Sequence, residues 1–188
     1  MGALEMNLQE DELLHLVQRW RNVNINIKNF WYNVGHAALE TVSKQKPMRV
    51  GKITFEYYDN YLFIKLPSGR KLSYFNPMLK RNIYGKESLT YEGIATNKKW
   101  QRIETYGPKL VENIVQGISR DILAHAMMNL KRRNFKIVMH VHDEVVLEVK
   151  KNQVTVEEIC EIITIPPPYA EDLCLKAEAY KCDFYKKE

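Results

Sequence analysis

Six apolar residues, Leu110, Ile114, Ile118, Ile122, Ala126 and Leu130, recur at intervals of four between Lys109 and Arg133. A ridge with that spacing stays near one face of an α-helix and drifts slowly around it, so the segment is predicted to be one long helix. Arg132, Arg133 and Asn134 end it. Two short apolar runs follow, Ile137 to Val141 and Val145 to Val149, with His142-Asp143-Glu144 between them. Runs rich in Val and Ile around a polar turn read as a β-hairpin. The chain is therefore expected to be α+β, an antiparallel sheet and a His-Asp-Glu hairpin packed on helices.

The remaining segments fit that frame. Gln9-Glu10-Asp11-Glu12 supplies a negative first turn suited to the positive end of a helix dipole. Leu13, Leu16, Val17 and Trp20 then mark a buried stripe, and after a break near Asn24-Ile25-Asn26 a second helix repeats it with Ile27, Phe30, Trp31, Val34, Ala38 and Val42. Trp20, Phe30 and Trp31 are expected in the core. Lys44 to Lys52 reads as a polar connector. Ile53 to Tyr58 and Tyr61 to Leu66 flank Asp59-Asn60, a good turn pair, and Pro67-Ser68-Gly69-Arg70 leads into Lys71 to Phe75, so a small antiparallel meander is expected. Residues 76–104 suggest only short strands around Ser88 to Tyr91 and Trp100. Residues 154–164 form a last short helix stopped by Pro166-Pro167-Pro168, and Leu173 to Ala179 is expected to close the fold as a strand. The organisation is thus a helical segment over residues 1–50, a β-rich region over 51–105, and a helix, hairpin and C-terminal helix or strand over 106–188.

Length and composition bound the function. At 188 residues the chain can bury one core, and 45% hydrophobic with 27% charged residues is an ordinary soluble composition. A net charge of +5 suits a phosphate-bearing partner, although many solvated surfaces share it. Cys160, Cys174 and Cys182 are odd in number and lack CxxC spacing, so neither a disulfide framework nor a zinc site is expected, and the compartment is a reducing cytoplasm. There is no apolar run of membrane-spanning length in the sequence, so no membrane partner is expected.

The chemistry concentrates at His142-Asp143-Glu144. A hairpin would hold two carboxylates rigidly at its tip, where like charges repel and a divalent cation relieves the repulsion. Hard oxygen ligands of this kind suit Mg²⁺, which can activate a 3′-hydroxyl and stabilise leaving pyrophosphate in phosphoryl transfer. The other reading of the same residues is a polar turn on a solvated edge. His142 by itself reads as a hydrogen-bonding neighbour and not as a ligand.

His142-Asp143-Glu144 inside an apolar hairpin resembles the third motif of family A, DNA polymerase I-like, DNA polymerases. Val115-Gln116-Gly117-Ile118-Ser119-Arg120-Asp121-Ile122 resembles the family helix that begins with Gln-Gly and ends in Asp-Ile or Asp-Leu. Gly69-Arg70-Lys71-Leu72 resembles the Gly-Arg-Arg hairpin between fingers and palm. Bacteriophage-type members are the most similar, and the resemblance runs from Met1-Gly-Ala-Leu-Glu-Met to Phe184-Tyr-Lys-Lys. It implies that Asp143 binds catalytic metal, Glu144 is the auxiliary carboxylate, and His142 lies near the primer 3′ end. It further implies that Gln116 contacts template or primer near the minor groove and that Arg70 meets nucleic-acid backbone. The local alternatives are a helix hydrogen bond for Gln116 and a solvated charge for Arg70. Asp121 and His125 read as structural. Lys98-Lys99-Trp100-Gln101-Arg102 and Lys131-Arg132-Arg133 could meet phosphates or simply be solvated.

The sequence departs from the family in what these residues do not contain. The second palm aspartate, in an Asp-Tyr-Ser-like motif, and the fingers helix with Arg, Lys and Tyr for the incoming nucleotide are both outside them. Position 140, glutamine in many relatives, is His140. The expectation is a partial DNA-directed DNA polymerase, acting on primer-template DNA and dNTP and inactive until a second polypeptide supplies the rest, as in a split gene whose product starts with Met in mid-domain. Mg²⁺ would then bind as a two-metal site only on completion, in the cytoplasm of a bacterium or a phage-infected host. The alternative is a non-catalytic DNA-binding remnant whose exposed apolar surface self-associates. A metal-dependent nuclease using Asp143 and Glu144 lacks a further carboxylate cluster at suitable spacing.

Overall fold

The computed structural model describes residues 10–185. The chain divides into two units, residues 1–65 with 71–114 and residues 66–70 with 115–188. Gln9, which opens the expected acidic turn, and the outermost residues of the family resemblance lie outside the described residues.

In the first unit two helices, α1 (Glu10–Val23) and α2 (Ile25–Lys44), precede six strands: β1 (Met48–Val50), β2 (Ile53–Tyr58), β3 (Tyr61–Lys65), β4 (Lys71–Arg81), β5 (Glu87–Ile94) and β6 (Trp100–Thr105). They pair in sequence order as one antiparallel meander, β1-β2-β3-β4-β5-β6. The fold is α+β with an antiparallel sheet, as the patterning predicts. Asp59 and Asn60 both adopt left-handed backbone, φ 50° and 61°, between the paired residues Tyr58 and Tyr61. A two-residue turn with positive φ at both positions matches the twist of the strands it joins, and Asp and Asn tolerate that conformation.

Strand alternation builds the core of this unit. Ile53 and Phe55 on β2 and Leu62 and Ile64 on β3 point the same way and are buried, with Phe55 opposite Ile64 in the register. Each such fully buried side chain contributes about 2–3 kcal/mol. Helix α2 lays Val34, Ala37, Ala38 and Thr41 against β1 to β5. The small side chains let helix and sheet approach closely. The next helix, α3 (Gly107–Arg132), begins in this unit and buries Leu110, Val111 and Ile114.

Three expectations are corrected. The Lys44 to Lys52 connector contains β1, because Met48, Arg49 and Val50 pair with Phe55, Thr54 and Ile53. Residues 76–104 carry most of three strands and not isolated short ones; β4 runs through a bulge between Phe75 and Met78, where Asn76 has φ 48° and Pro77 lacks an N–H for the ladder. The α1 stripe is not core: Leu16, Val17 and Trp20 are each 46% exposed, and Trp20 stacks on Trp31 with centroids 5.7 Å apart. Phe30 and Trp31 are half-buried.

In the second unit α3 continues, followed by β7 (Lys136–Val141), β8 (Glu144–Glu148), α4 (Val156–Ile163) and a 3₁₀ turn at Pro168–Ala170. β7 and β8 form a separate two-stranded sheet. Helix α4 starts with a capping box: the Glu158 amide donates to the Thr155 hydroxyl at 3.1 Å, and the Thr155 amide donates to the Glu158 carboxylate at 2.8 Å. Among the described residues of this unit, Leu66, Ala126, Leu130, Ile162 and Pro167 are buried. The ridge read from the sequence is inward at Leu110, Ile114, Ala126 and Leu130 and half-buried at Ile118 and Ile122. The strand expected over Leu173 to Ala179 does not form, since no sheet edge pairs with it.

Two predictions follow from the first unit. A Cβ on Gly107 would sit 2.1 Å from the Trp31 carbonyl oxygen, and Gly35 Cα lies 3.4 Å from the same position. Backbone cannot yield as a side chain can, so Gly107→Ala should destabilise by about 3 kcal/mol, read from the urea unfolding midpoint. Burial pushes the Tyr74 phenol up to about 12, with the Asn113 amide donating to its oxygen at 3.0 Å and partly offsetting the shift. The phenol is neutral in both states below its unfolded value of about 10, so stability is intact there; between about pH 10 and 12 only the unfolded state ionises, and about 2–3 kcal/mol is lost. The stability difference between wild type and Tyr74→Phe should therefore shrink steadily as pH rises above 10.

Candidate functional site

The hairpin tip is tighter than the three-residue turn the sequence suggests. Val141 pairs with Glu144, so only His142 and Asp143 form the turn and Glu144 opens β8. His142 adopts φ 52°. Left-handed backbone costs a residue with a Cβ about 1–2 kcal/mol, although His visits it more readily than most. Behind the tip, β7 alternates, turning Ile137, Met139 and Val141 inward and Lys136, Val138 and His140 outward. At the tip His142, Asp143 and Glu144 are all exposed. At the far end of the same hairpin Lys136 donates to Glu148 at 2.6 Å.

Two elements adjoin this hairpin in the second unit. Arg120 on α3 donates from Nη2 to Nε2 of His140 at 3.3 Å, so that ring nitrogen is the acceptor. The Tyr185 hydroxyl donates to Glu144 Oε2 at 3.2 Å. The phenol of Tyr185 is held above its ordinary range, by desolvation first and by the Glu144 carboxylate second. Nothing local in the sequence announces this contact, because its partners are 41 residues apart.

Arg70 is not a free hairpin charge. Its Nε donates to Asp121 Oδ1 at 2.6 Å and its Nη2 to the Gly117 carbonyl at 2.7 Å. Ser68 Oγ donates to the other Asp121 oxygen at 2.5 Å and accepts from the Arg70 amide at 3.3 Å. The Asp121 side chain is only 10% exposed while that of Arg70 is 45% exposed. The Tyr169 phenol senses both, raised by burial and then by the Asp121 charge. Gln116, one residue before Gly117, is exposed on α3.

The other basic segments divide. Arg102 is committed to the fold, donating to the Asn76 carbonyl at 3.0 Å and to Glu92 at 2.7 Å, whereas Lys98, Lys99 and Trp100 are exposed. Lys131, Arg132 and Arg133 are exposed at the end of α3, where positive charge also favours the helix.

As a magnesium site, these donors are incomplete. Asp143 and Glu144 offer carboxylate oxygens of the right kind, but among the described residues no group of three or more His, Cys, Asp or Glu comes together to hold a metal ion. Also among the described residues, no helix is long and apolar enough to cross a membrane.

The hairpin tip thus exposes two carboxylates, while α3 exposes Gln116 and holds the Arg70 guanidinium through Gly117 and Asp121. Over 190 aligned positions the chain is 46% identical to a DNA polymerase of Bacillus phage SP02, a match that takes in 100% of this chain and 29% of that polymerase. The chain thus spans less than a third of the length of the curated relative it matches. No family model matches it, and no solved structure matches it.

The left-handed turn yields a test of its own. His142→Gly should leave stability unchanged or raise it by up to about 1 kcal/mol, and His142→Val, β-branched at the same φ, should lower it by about 1–2 kcal/mol. Thermal unfolding followed by circular dichroism reads both.

Proposed function

We propose that these residues are a part of a family A, phage-type DNA-directed DNA polymerase, supplying one of the carboxylate elements and a DNA-facing helix of its palm. The observation that carries this reading is the placement of His142-Asp143-Glu144 at the tip of a hairpin that follows the Gln116-Gly117 helix, in a chain 46% identical to a phage DNA polymerase. On this reading residues 1–50 belong to the fingers and 106–188 to the palm.

Each residue then has a chemical task. Asp143 and Glu144 present oxygen ligands for Mg²⁺, with Asp143 the principal one because Glu144 already accepts from Tyr185. His142 stands beside them at the primer 3′ end. Gln116 donates or accepts at a base edge in the minor groove, and Arg70 meets a backbone phosphate. The remaining carboxylate and the residues that grip dNTP come from sequence outside these 188 residues, carried by a second polypeptide or a longer form of the same one. Primer-template DNA and dNTP are the substrates, and the cytoplasm of a bacterium or infected host is where they meet.

Primer extension tests the proposal. The chain alone, with Mg²⁺ or Mn²⁺, should incorporate no nucleotide. Mixed with the portion of the phage polymerase outside the aligned region, it should extend a primer, and Asp143→Ala should lower that rate by at least about a hundredfold. Extension that survives the substitution, or that no complementing portion restores, would overturn it.

A further inference from the structure

We infer that Asp121 and Ser68 are positioning residues that preset Arg70 to receive a DNA phosphate. The inference rests on the polymerase reading above and adds to it two residues that touch no substrate. Arg70 has five N–H donors. One goes from Nε to Asp121 and one from Nη2 to the Gly117 carbonyl. Three remain, two on Nη1 and one on Nη2, so the Nη1–Nη2 edge keeps a donor on each nitrogen, and the side chain is 45% exposed. That edge is the fork that grips a phosphate through two parallel hydrogen bonds.

Holding the guanidinium from behind matters because a free arginine loses about 2 kcal/mol of rotamer freedom when it is fixed. Here that loss is taken in folding, so phosphate binding need not bear it. Ser68 closes the arrangement: it donates to the second Asp121 oxygen and accepts from the Arg70 amide, so carboxylate, turn and guanidinium lock one another. Gly117, the helix residue that receives Arg70, directly follows Gln116. The turn and the exposed amide are therefore fixed to the same turn of α3.

Charge alone predicts the opposite of positioning, and this makes the inference testable. Asp121 is an anion close to where a phosphate would dock, so its removal should tighten DNA binding if Asp121 acts only through its field. If it positions Arg70, its removal should weaken binding.

The test measures binding of the full chain to a labelled primer-template by fluorescence anisotropy across a salt series. Asp121→Ala is expected to weaken binding about tenfold and to lower the salt slope by about one phosphate contact. Asp121→Asn, which keeps an acceptor for Nε, should stay within about threefold of wild type. Arg70→Lys keeps the charge but cannot bridge, and should behave like Asp121→Ala. Arg70→Ala combined with Asp121→Ala should bind no worse than Arg70→Ala alone. Far-UV circular dichroism confirms folding; should Asp121→Ala not fold, Arg70→Lys and Ser68→Ala decide, each expected to weaken binding. Unchanged or tighter binding in folded Asp121→Ala, Arg70→Lys and Ser68→Ala overturns the positioning role and leaves the polymerase reading standing. A wild-type chain with no salt-dependent DNA binding overturns the DNA contact itself.

Discussion

The first unit depends on how closely two backbones approach at Gly107. Helix α2 is pinned to the sheet by Val34, Ala37, Ala38 and Thr41, and the carbonyl of Trp31 on that helix faces Gly107 where no Cβ could fit. Gly35 meets it from the same helix. The contact is backbone to backbone, so it fixes position more tightly than interdigitated side chains, which can change rotamer. From that point Leu110, Val111 and Ile114 bury the first turns of α3. Gly35, costly inside a helix by about 1 kcal/mol, is offset by the packing it permits.

The same helix then supplies a second kind of constraint. Beyond Ile114 its contacts include polar, specific ones: Gly117 and Asp121 capture Arg70, and Arg120 reaches His140. A carboxylate as enclosed as Asp121 needs a cation and further donors, and it has both, from Arg70 and Ser68. Apolar packing sets where α3 starts. Directional bonds set what its later turns hold.

How much of this was legible follows from the range of each signal. The Asp59-Asn60 turn and the ridge of α3 are local, written within a few residues, and both form where the sequence puts them. The sequence understates strands β4 to β6 because Asn76-Pro77 interrupts the alternation, and Glu92 and Arg102 neutralise each other across the sheet instead of marking loops. The α1 stripe shows the limit of periodicity. Spacing identifies a face fit for burial but not what covers it, and Leu16, Val17 and Trp20 stay half open. At the site, the carboxylate pair was legible as a motif, and its two-residue turn was not, because register depends on which residue Val141 pairs with. Asp121 and Tyr185 were opaque as partners for Arg70 and Glu144, being 51 and 41 residues away from them.

The hairpin tip is expensive in a way that stability does not explain. A two-residue turn with left-handed backbone favours Gly or Asn, yet His142 stands there at φ 52°. Next to it are two carboxylates with no ion pair among the described residues, while the hairpin's lysine, Lys136, neutralises Glu148 at the opposite end. Selection for folding alone would shorten the charge or move a cation to the tip. Strain and unneutralised charge concentrated at one exposed point are the local conflicts that functional sites retain. Two adjacent carboxylates are too few oxygens to hold a magnesium ion, which takes about six ligands and keeps several of them as water when protein oxygens are scarce. On the polymerase reading proposed above, the exposed tip would supply only one side of such a site, and the remaining oxygens would have to come from elsewhere.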